Sequence, residues 1–471
     1  MYSSKDCAED LFFGTDYHSH LGAKRGGMVV FDGARYNRAI HNIENAPFRT
    51  KFESDLLDMK GTIGIGCISD TNPQPIIINS RAGTIALVTV GRINNKTELV
   101  AQLMIEDNAF FTEMSGGTIN DTELVASLIC RKDNIPDGIK YAQDKIEGSM
   151  SMLLYADEGL YAARDKKGRT PISIGKKDGS ESTYCVSLES FAYINLGYKP
   201  CCDLGPGEVV FIKSNKISSV FKPQNEMKMC TFLWLYYGLS ASEYEGVSVE
   251  KMRYNCGQIL AARDIEAGAD ISLDYIAGVP DSGTPHAIGY ANQSKVPFAR
   301  PLIKYTPTWP RSFLPEKQST RDLIAHMKLV PISGLIQNKK LLFVEDSIVR
   351  GTQLRGVMEN LFSYGAKELH GRVGSPPILF DCKYLNFTRS SSGNETISRQ
   401  AIMKLEQTTS ISDDCIAKYT DSESKQYNNM VEDIRKRLNF TTLRYNSLDD
   451  MTDSVGIDKC KLCTYCWNGK D

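Results

Sequence analysis

One stretch constrains this chain more than any other: Lys340-Leu-Leu-Phe-Val-Glu-Asp-Ser-Ile-Val-Arg-Gly-Thr352. Its run of bulky apolar residues predicts a buried strand. Beyond it Leu354, Val357, Met358, Leu361 and Phe362 recur at i, i+3, i+4, i+7 and i+8, which predicts a helix, and Gly365 supplies a stop. Strand, loop and helix N-terminus therefore follow one another. At such a junction the backbone N–H groups of Ser347, Ile348, Val349, Arg350, Gly351 and Thr352 are not all consumed by the helix. With the positive end of the helix dipole they can hold a phosphate. Ser347 and Thr352 add hydroxyls, and Gly351 lets the backbone approach closely. Glu345 and Asp346 would repel a phosphate unless they face something else, and sugar hydroxyls together with Mg²⁺ meet that need.

A chain of 471 residues exceeds one ordinary core and implies two or three domains. Its 55 basic and 57 acidic residues nearly cancel, so no broad attraction to nucleic acid or to a membrane surface is expected and any anion site must be local. The first ten residues carry acids where a signal peptide would be apolar, and no later run is long enough to span a bilayer. The expectation is a cytoplasmic protein. Thirteen cysteines, an odd number, then favour free thiols or metal ligands over a disulfide framework.

The first half alternates short β-rich runs (Gly26 to Phe31, Thr84 to Val90, Met150 to Tyr155, Glu208 to Ile212) with helical stretches such as Asp121 to Cys130. That mixture predicts an α+β or sandwich-type domain over residues 1–225. Around Ser214 to Lys228 the pattern loosens, which places the boundary there. Residues 226–471 repeat strand, loop and helix, with Tyr275 to Val279 leading through Pro280-Asp-Ser-Gly-Thr284 into a helix. Repetition of that unit predicts an α/β domain with a parallel sheet. Thr388 to Thr396, rich in Ser, Asn and Thr, reads as a surface loop.

Val344 to Thr352 resembles the phosphoribosyl pyrophosphate (PRPP) motif of type I phosphoribosyltransferases, in the form found in the glutamine PRPP amidotransferases (amidophosphoribosyltransferases). Gly278-Val-Pro-Asp-Ser-Gly283 with Ile288-Gly-Tyr-Ala291 resembles that family's pyrophosphate loop; Phe313, Arg321 and Met327-Lys-Leu329 stand at its mobile loop and just after it. Gly168-Arg-Thr-Pro-Ile-Ser-Ile-Gly175 and Gly205-Pro-Gly-Glu208 resemble its glutaminase domain. The resemblance implies an N-terminal nucleophile hydrolase-type sandwich (αββα) joined to a type I phosphoribosyltransferase domain. It also implies the first step of purine biosynthesis, a homotetramer and purine nucleotide inhibitors.

Breaking the bond from C1 of PRPP to pyrophosphate builds positive charge on the ribose and negative charge on the leaving group. A preorganised electrostatic cage suits that step better than a covalent nucleophile. The resemblance assigns the 347–352 loop to the 5′-phosphate, and Ser282, Glu345 and Asp346 to Mg²⁺ with the ribose. Asp281 and Gly283 go to the pyrophosphate loop, and Lys328 and Arg350 become candidate phosphate partners.

Cys460-Lys-Leu-Cys-Thr-Tyr-Cys466 holds two overlapping CxxC pairs with no thioredoxin-like context, which points to a metal. Cys463-Thr-Tyr-Cys-Trp-Asn-Gly-Lys470 resembles the ending of cluster-bearing amidotransferases, and their other two ligands correspond to Cys230 and to Cys382 after Ser375-Pro-Pro-Ile. The implied ligand set is Cys230, Cys382, Cys463 and Cys466 for a [4Fe–4S] cluster, with Zn²⁺ at the same residues as the alternative and Cys460 as a spare thiol.

The glutaminase signature is where the resemblance breaks. The family's nucleophile is an N-terminal cysteine; Cys7 is the candidate here if Met1 to Asp6 is removed, but Ala-Glu-Asp-Leu-Phe-Phe-Gly14 departs from the family's opening. Gly64-Ile-Gly-Cys-Ile-Ser-Asp70 has Cys67 where the family has a carboxylate-gripping Arg. Thr89-Val-Gly-Arg92 keeps Gly91 of the oxyanion hole but carries Val90 in place of Asn. Asp121-Thr-Glu123 matches the glutamine-contacting segment, though a helix start would give the same residues. The expectation is an amidophosphoribosyltransferase using ammonia or glutamine with weak or absent glutaminase activity. The alternative is a catalytically silent PRPP- or nucleotide-binding paralogue that regulates a true amidotransferase, and a transferase for another acceptor also fits a PRPP loop.

Overall fold

The computed structural model describes all residues except 23, 82, 116, 157–158, 178–182, 215, 270–271, 306–328, 387–394 and 471. Two β-layers lie face to face in the first half. One carries Tyr36–Asn42, Arg25–Phe31 and Ile63–Ser69, and beside them Thr183–Ser187, Ser173–Lys177 and Lys199–Asp203. Tyr2 bridges Ile63 on one trio and Tyr184 on the other, so Met1 to Ser3 form the rung that joins them. The other layer runs Lys216–Phe221, Val209–Lys213, Gly159–Ala163, Gly148–Ala156, Gly83–Ile93 and Ile76–Ser80, antiparallel throughout.

Alternation along the strands builds four layers from this pair. Val29 points between the sheets with Ile65, Ala86, Val88 and Ala162, whereas Met28 and Val30 point outward onto Phe12, Phe48 and Phe52 of the helices Ala8–Asp16 and Phe48–Asp58. On the far side Ile85 and Leu87 meet the helices Asp121–Ile129 and Ile135–Lys145. The order is helix, sheet, sheet, helix, as the resemblance implies. Because both faces are covered, Arg25–Phe31 is buried along its whole centre rather than at every second residue.

The second half is a parallel sheet in the order Tyr275–Gly278, Lys340–Glu345, Glu368–Val373, Thr442–Tyr445. Helices Val249–Glu266, Gly283–Ser294, Thr352–Ser363 and Lys425–Leu438 accompany it. Lys216–Phe221, inside the segment expected to be irregular, is instead a strand. It lies at a sheet edge with no residue fully buried, so Lys and Ser cost little there and hide it from a pattern search. Met229–Cys230 pairs in parallel with Leu462–Cys463, which ties the chain's tail to the start of this domain. Among the described residues no helix is long and apolar enough to cross a membrane.

Helices Val249–Glu266 and Gly283–Ser294 pack at glycine contacts. A Cβ on Gly257 would stand 1.8 Å from the carbonyl oxygen of His286, and one on Gly289 would stand 2.0 Å from that of Tyr254. Gly257→Ala is therefore expected to destabilise the domain by about 1–3 kcal/mol or more, seen as a lower thermal midpoint. An unchanged midpoint would mean that the helices can part without cost.

Candidate active site

At the carboxyl end of the parallel sheet, Lys340–Glu345 delivers Glu345 and Asp346 side by side. Asp346 is buried and Glu345 partly so. Burial and the neighbouring Asp346 charge push the Glu345 carboxyl well above the usual carboxylate range. Asp346 is also raised by burial, against opposing hydrogen bonds that include the Ser282 and Ser347 hydroxyls and against the nearby Arg253 guanidinium. Ser347 Oγ donates to Asp346 Oδ1 at 2.6 Å. Two such acids cannot both ionise cheaply until a cation or a set of hydroxyl donors joins them.

The loop after them is anchored by Ile348, which is buried in the domain core. Gly351 caps the helix Thr352–Ser363 at φ +72°, and a Cβ there would meet Ile397 Cδ1 at 2.7 Å and Leu438 Cδ2 at 2.9 Å. Glycine is thus required by both backbone and space. The helix's first bond runs from Arg355 N to Gly351 O, 2.9 Å, so earlier N–H groups face the loop. Val349 and Arg350 are exposed, and Arg350 is ion-paired with Glu395 rather than turned into the loop.

The second loop meets the first. Gly283 lets its helix approach the acid-bearing strand, since a Cβ would lie 2.4 Å from Val344 O. Asp281, which follows a cis peptide bond from Pro280, pairs with Lys304 at 2.5 Å. Lys304 ends the short strand Leu302–Lys304, where a lone Lys carries no local pattern that would mark it in the sequence. Lys328, Phe313 and Arg321 lie outside the described residues, as does most of the Thr388 to Thr396 loop.

A cavity of about 720 Å³ runs from Pro280, Asp281 and Ser282 to the first domain, where Met1, Cys67, Val90, Gly91 and Asp121 line it. Cys7 is not among its lining residues, contrary to its expected role as nucleophile. It sits buried at the start of the Ala8–Asp16 helix, and burial pushes its thiol up to about 11. Removing Met1 to Asp6 would also strip the rung between the two strand trios, including Tyr2 N to Tyr184 O at 2.9 Å and Ser3 N to Thr62 O at 2.8 Å. Cys67 and Cys185 do line the cavity, with thiols raised by burial to about 12 and about 11.

Asp121 lines the cavity too, but Lys96 Nζ stands 2.5 Å from its Oδ1. Gly91 has φ +146° and is pressed against Gly148–Ala156, where a Cβ would come within 1.8 Å of Ser149 O. Between the two ends a buried network joins the domains. Glu189 takes hydrogen bonds from Tyr244 OH at 2.8 Å and from the Ser242 hydroxyl, and contacts His20 Nε2 at 3.1 Å. No local motif marks Glu189; its partners lie 53, 55 and 169 residues away in sequence.

Four cysteines expected as ligands surround one small void at the domain junction: Cys230, Cys382, Cys463 and Cys466, with Arg169, Tyr384 and Trp467. Parallel pairing sets Cys230 opposite Cys463. Arg169 Nη1 donates to Cys463 Sγ at 3.0 Å and Leu385 N to Cys382 Sγ at 3.2 Å, while a hydrogen bond with Cys466 draws the Cys382 thiol down. Donors aimed at sulfur favour the thiolate at Cys382, whereas burial pushes the Cys230 thiol up and the hydrogen bond with Cys382 pushes Cys466 up. Among the described residues no three His, Cys, Asp or Glu side chains are grouped to hold a single ion. Four thiols around one void are the donor set of a [4Fe–4S] cluster and equally of a Cys₄ zinc site. The exposed Cys460 is not in the lining.

Residues 62–191 match the glutamine amidotransferase domain. The amidophosphoribosyltransferase of Archaeoglobus fulgidus is 30% identical over 78% of this chain and 79% of its own length. That of Methanocaldococcus jannaschii is 28% identical over 100% and 95%. The glutamine PRPP amidotransferase from B. subtilis, solved in complex with ADP and GMP, superposes with a TM-score of 0.83 at 26% identity, covering 100% of this chain and 95% of that one. With the paired acids, the loop and the two-domain architecture in place, these likenesses make the chain a member of the amidophosphoribosyltransferase family, enzymes of the glycosyltransferase class.

Proposed function

We propose that the protein forms 5-phosphoribosylamine from PRPP and ammonia, the opening step of purine biosynthesis. The observation that carries this reading is the opening of one cavity onto both the pyrophosphate loop and the first domain's pocket. The 347–352 loop takes the 5′-phosphate, Glu345 and Asp346 the ribose hydroxyls and Mg²⁺, and Asp281, Ser282 and Gly283 the pyrophosphate. Adjacent carboxylates and a hydroxyl are hard oxygen donors. Too few for a closed cage, they match a Mg²⁺ that keeps substrate phosphates among its ligands. Bound there, the metal would neutralise the leaving group's charge. The nitrogen lone pair forms a bond to C1 as the C1–O bond to pyrophosphate breaks, and the amine then sheds a proton.

Glutamine is a poor donor in this reading. Val90 offers no side-chain donor to an oxyanion, Asp121 is already ion-paired, and the lining thiols Cys67 and Cys185 are held protonated by burial. Pyrophosphate release from PRPP is expected to run roughly 10²-fold faster with saturating ammonium than with glutamine. Comparable turnover with both would reject the idea, and no release with either would reject the transferase reading itself.

Glu345 carries a second expectation, with its sign set by burial. A carboxyl raised in the folded state binds its proton more tightly there than in the unfolded chain, so it stabilises the fold at low pH. That contribution is lost as pH climbs from the unfolded value through the raised one. Glu345→Gln should raise the thermal midpoint near neutral pH while lowering kcat/KM by roughly 10²-fold or more. A lower midpoint would show that the ionised pair is not under repulsion.

At Cys230, Cys382, Cys463 and Cys466 we place a [4Fe–4S] cluster that clips the tail to the domain start. Protein purified without oxygen should carry about four iron atoms per chain, whereas about one zinc would identify the alternative. We further propose a homotetramer and feedback by purine nucleotides, the latter supported by the ADP and GMP of the B. subtilis structure. The division into residues 1–225 and 226–471 fits the strand ends at Phe221 and Met229.

A further inference from the structure

The turn that bears Cys382 is bonded to the strand that forms one wall of the first domain's pocket. Arg92 Nη1 donates to Cys382 O at 2.7 Å and Asn94 Nδ2 to Lys383 O at 3.0 Å. Asn386 Nδ2 donates in return to Gly91 O at 3.0 Å. Leu385, between these contacts, lines both the four-cysteine void and the large cavity. Gly91 has no slack of its own, being pressed on Ser149 O at a φ that side chains rarely adopt.

We propose that Arg92, Asn94 and Asn386 are positioning residues that fasten the pocket wall at Gly91 to the Cys382 turn, so that the group held by the four cysteines sets the shape of the first domain's pocket. The argument rests on the cluster reading and adds a consequence to it. A ligand bond at Cys382 fixes the start of a five-residue turn. Its far end holds a backbone carbonyl of the pocket through one side-chain amide, and its start is gripped by Arg92 of the same strand. Releasing Cys382 frees both attachments together. Loss of the group would therefore loosen Gly83–Ile93 near Gly91, about 290 residues away in sequence, without touching the pocket directly.

Amide hydrogen exchange on the full-length protein tests this, with metal content measured first on the same sample. Removing the metal with a chelator should speed exchange at the Gly91 end of Gly83–Ile93 by about three-fold or more, with Arg25–Phe31 in the other sheet unchanged. Asn386→Asp keeps size and removes the donor. Because Asn386 is exposed the fold should tolerate it, and it should speed exchange at the same peptide while metal content and visible absorbance stay as in the parent. Arg92→Ala should behave likewise. Protection of Gly83–Ile93 that survives both metal removal and Asn386→Asp overturns the proposal. Protein purified without metal overturns the cluster reading on which it rests, and the metal analysis tells that failure from the other.

Discussion

Two carboxylates crowded at the end of a buried strand govern the rest of this molecule. Glu345 and Asp346 sit where burial and mutual repulsion oppose their ionisation. The fold sustains them through neighbours: Ser347 and Ser282 donate to Asp346, and Arg253 offsets part of its charge. Arg253 is itself held by the backbone carbonyls of Trp234, Tyr236 and Gly238, so its position is fixed by the chain rather than by solvent. In the proposed function, a metal and a polyol bound here would relieve that repulsion.

The domain junction is polar as well as apolar. Glu189 with Tyr244 and Ser242, Arg92 with Cys382 O, and Arg169 with Cys463 and the Tyr384 ring all cross it. Directional bonds of this kind fix register, whereas apolar contact alone would let the domains slide. The cavity between the two sites survives as a continuous space because its walls are held from both sides. Val90 and the paired Asp121 sit at one end of it, and Pro280, Asp281 and Ser282 with Lys304 at the other.

How legible was this in the sequence? The strand, acids and loop backbone of Lys340–Thr352 were, because they answer to local rules: apolar run, free N–H groups, a glycine where the backbone must approach closely. The strands around Val29, Val88 and Met152 were also visible as β-rich runs. Lys216–Phe221 was not, since its Ile217, Val220 and Phe221 are only partly buried and two Ser and a Lys break the pattern at this sheet edge. Arg350 was expected at the phosphate and instead pairs with Glu395. A long cation's direction depends on neighbours that motif spacing does not specify. Cys7 was a candidate nucleophile only on condition that Met1 to Asp6 is removed; with those residues in place its side chain packs in the core beside the Ala8–Asp16 helix.

By itself the sequence determined local candidates: a segment with the donors to cradle a phosphate, a CxxC pair near the C-terminus, and the residue types at the positions that the resemblance assigns to glutamine. These follow from backbone geometry and side-chain type over a dozen residues. Only tertiary structure decided what those pieces meet. It set Cys230 opposite Cys463 in a two-residue ladder, closed Asp121 with Lys96, and hung Gly91 on Asn386. Such pairings join positions far apart in the chain, and their energies depend on burial and distance, which no single segment encodes.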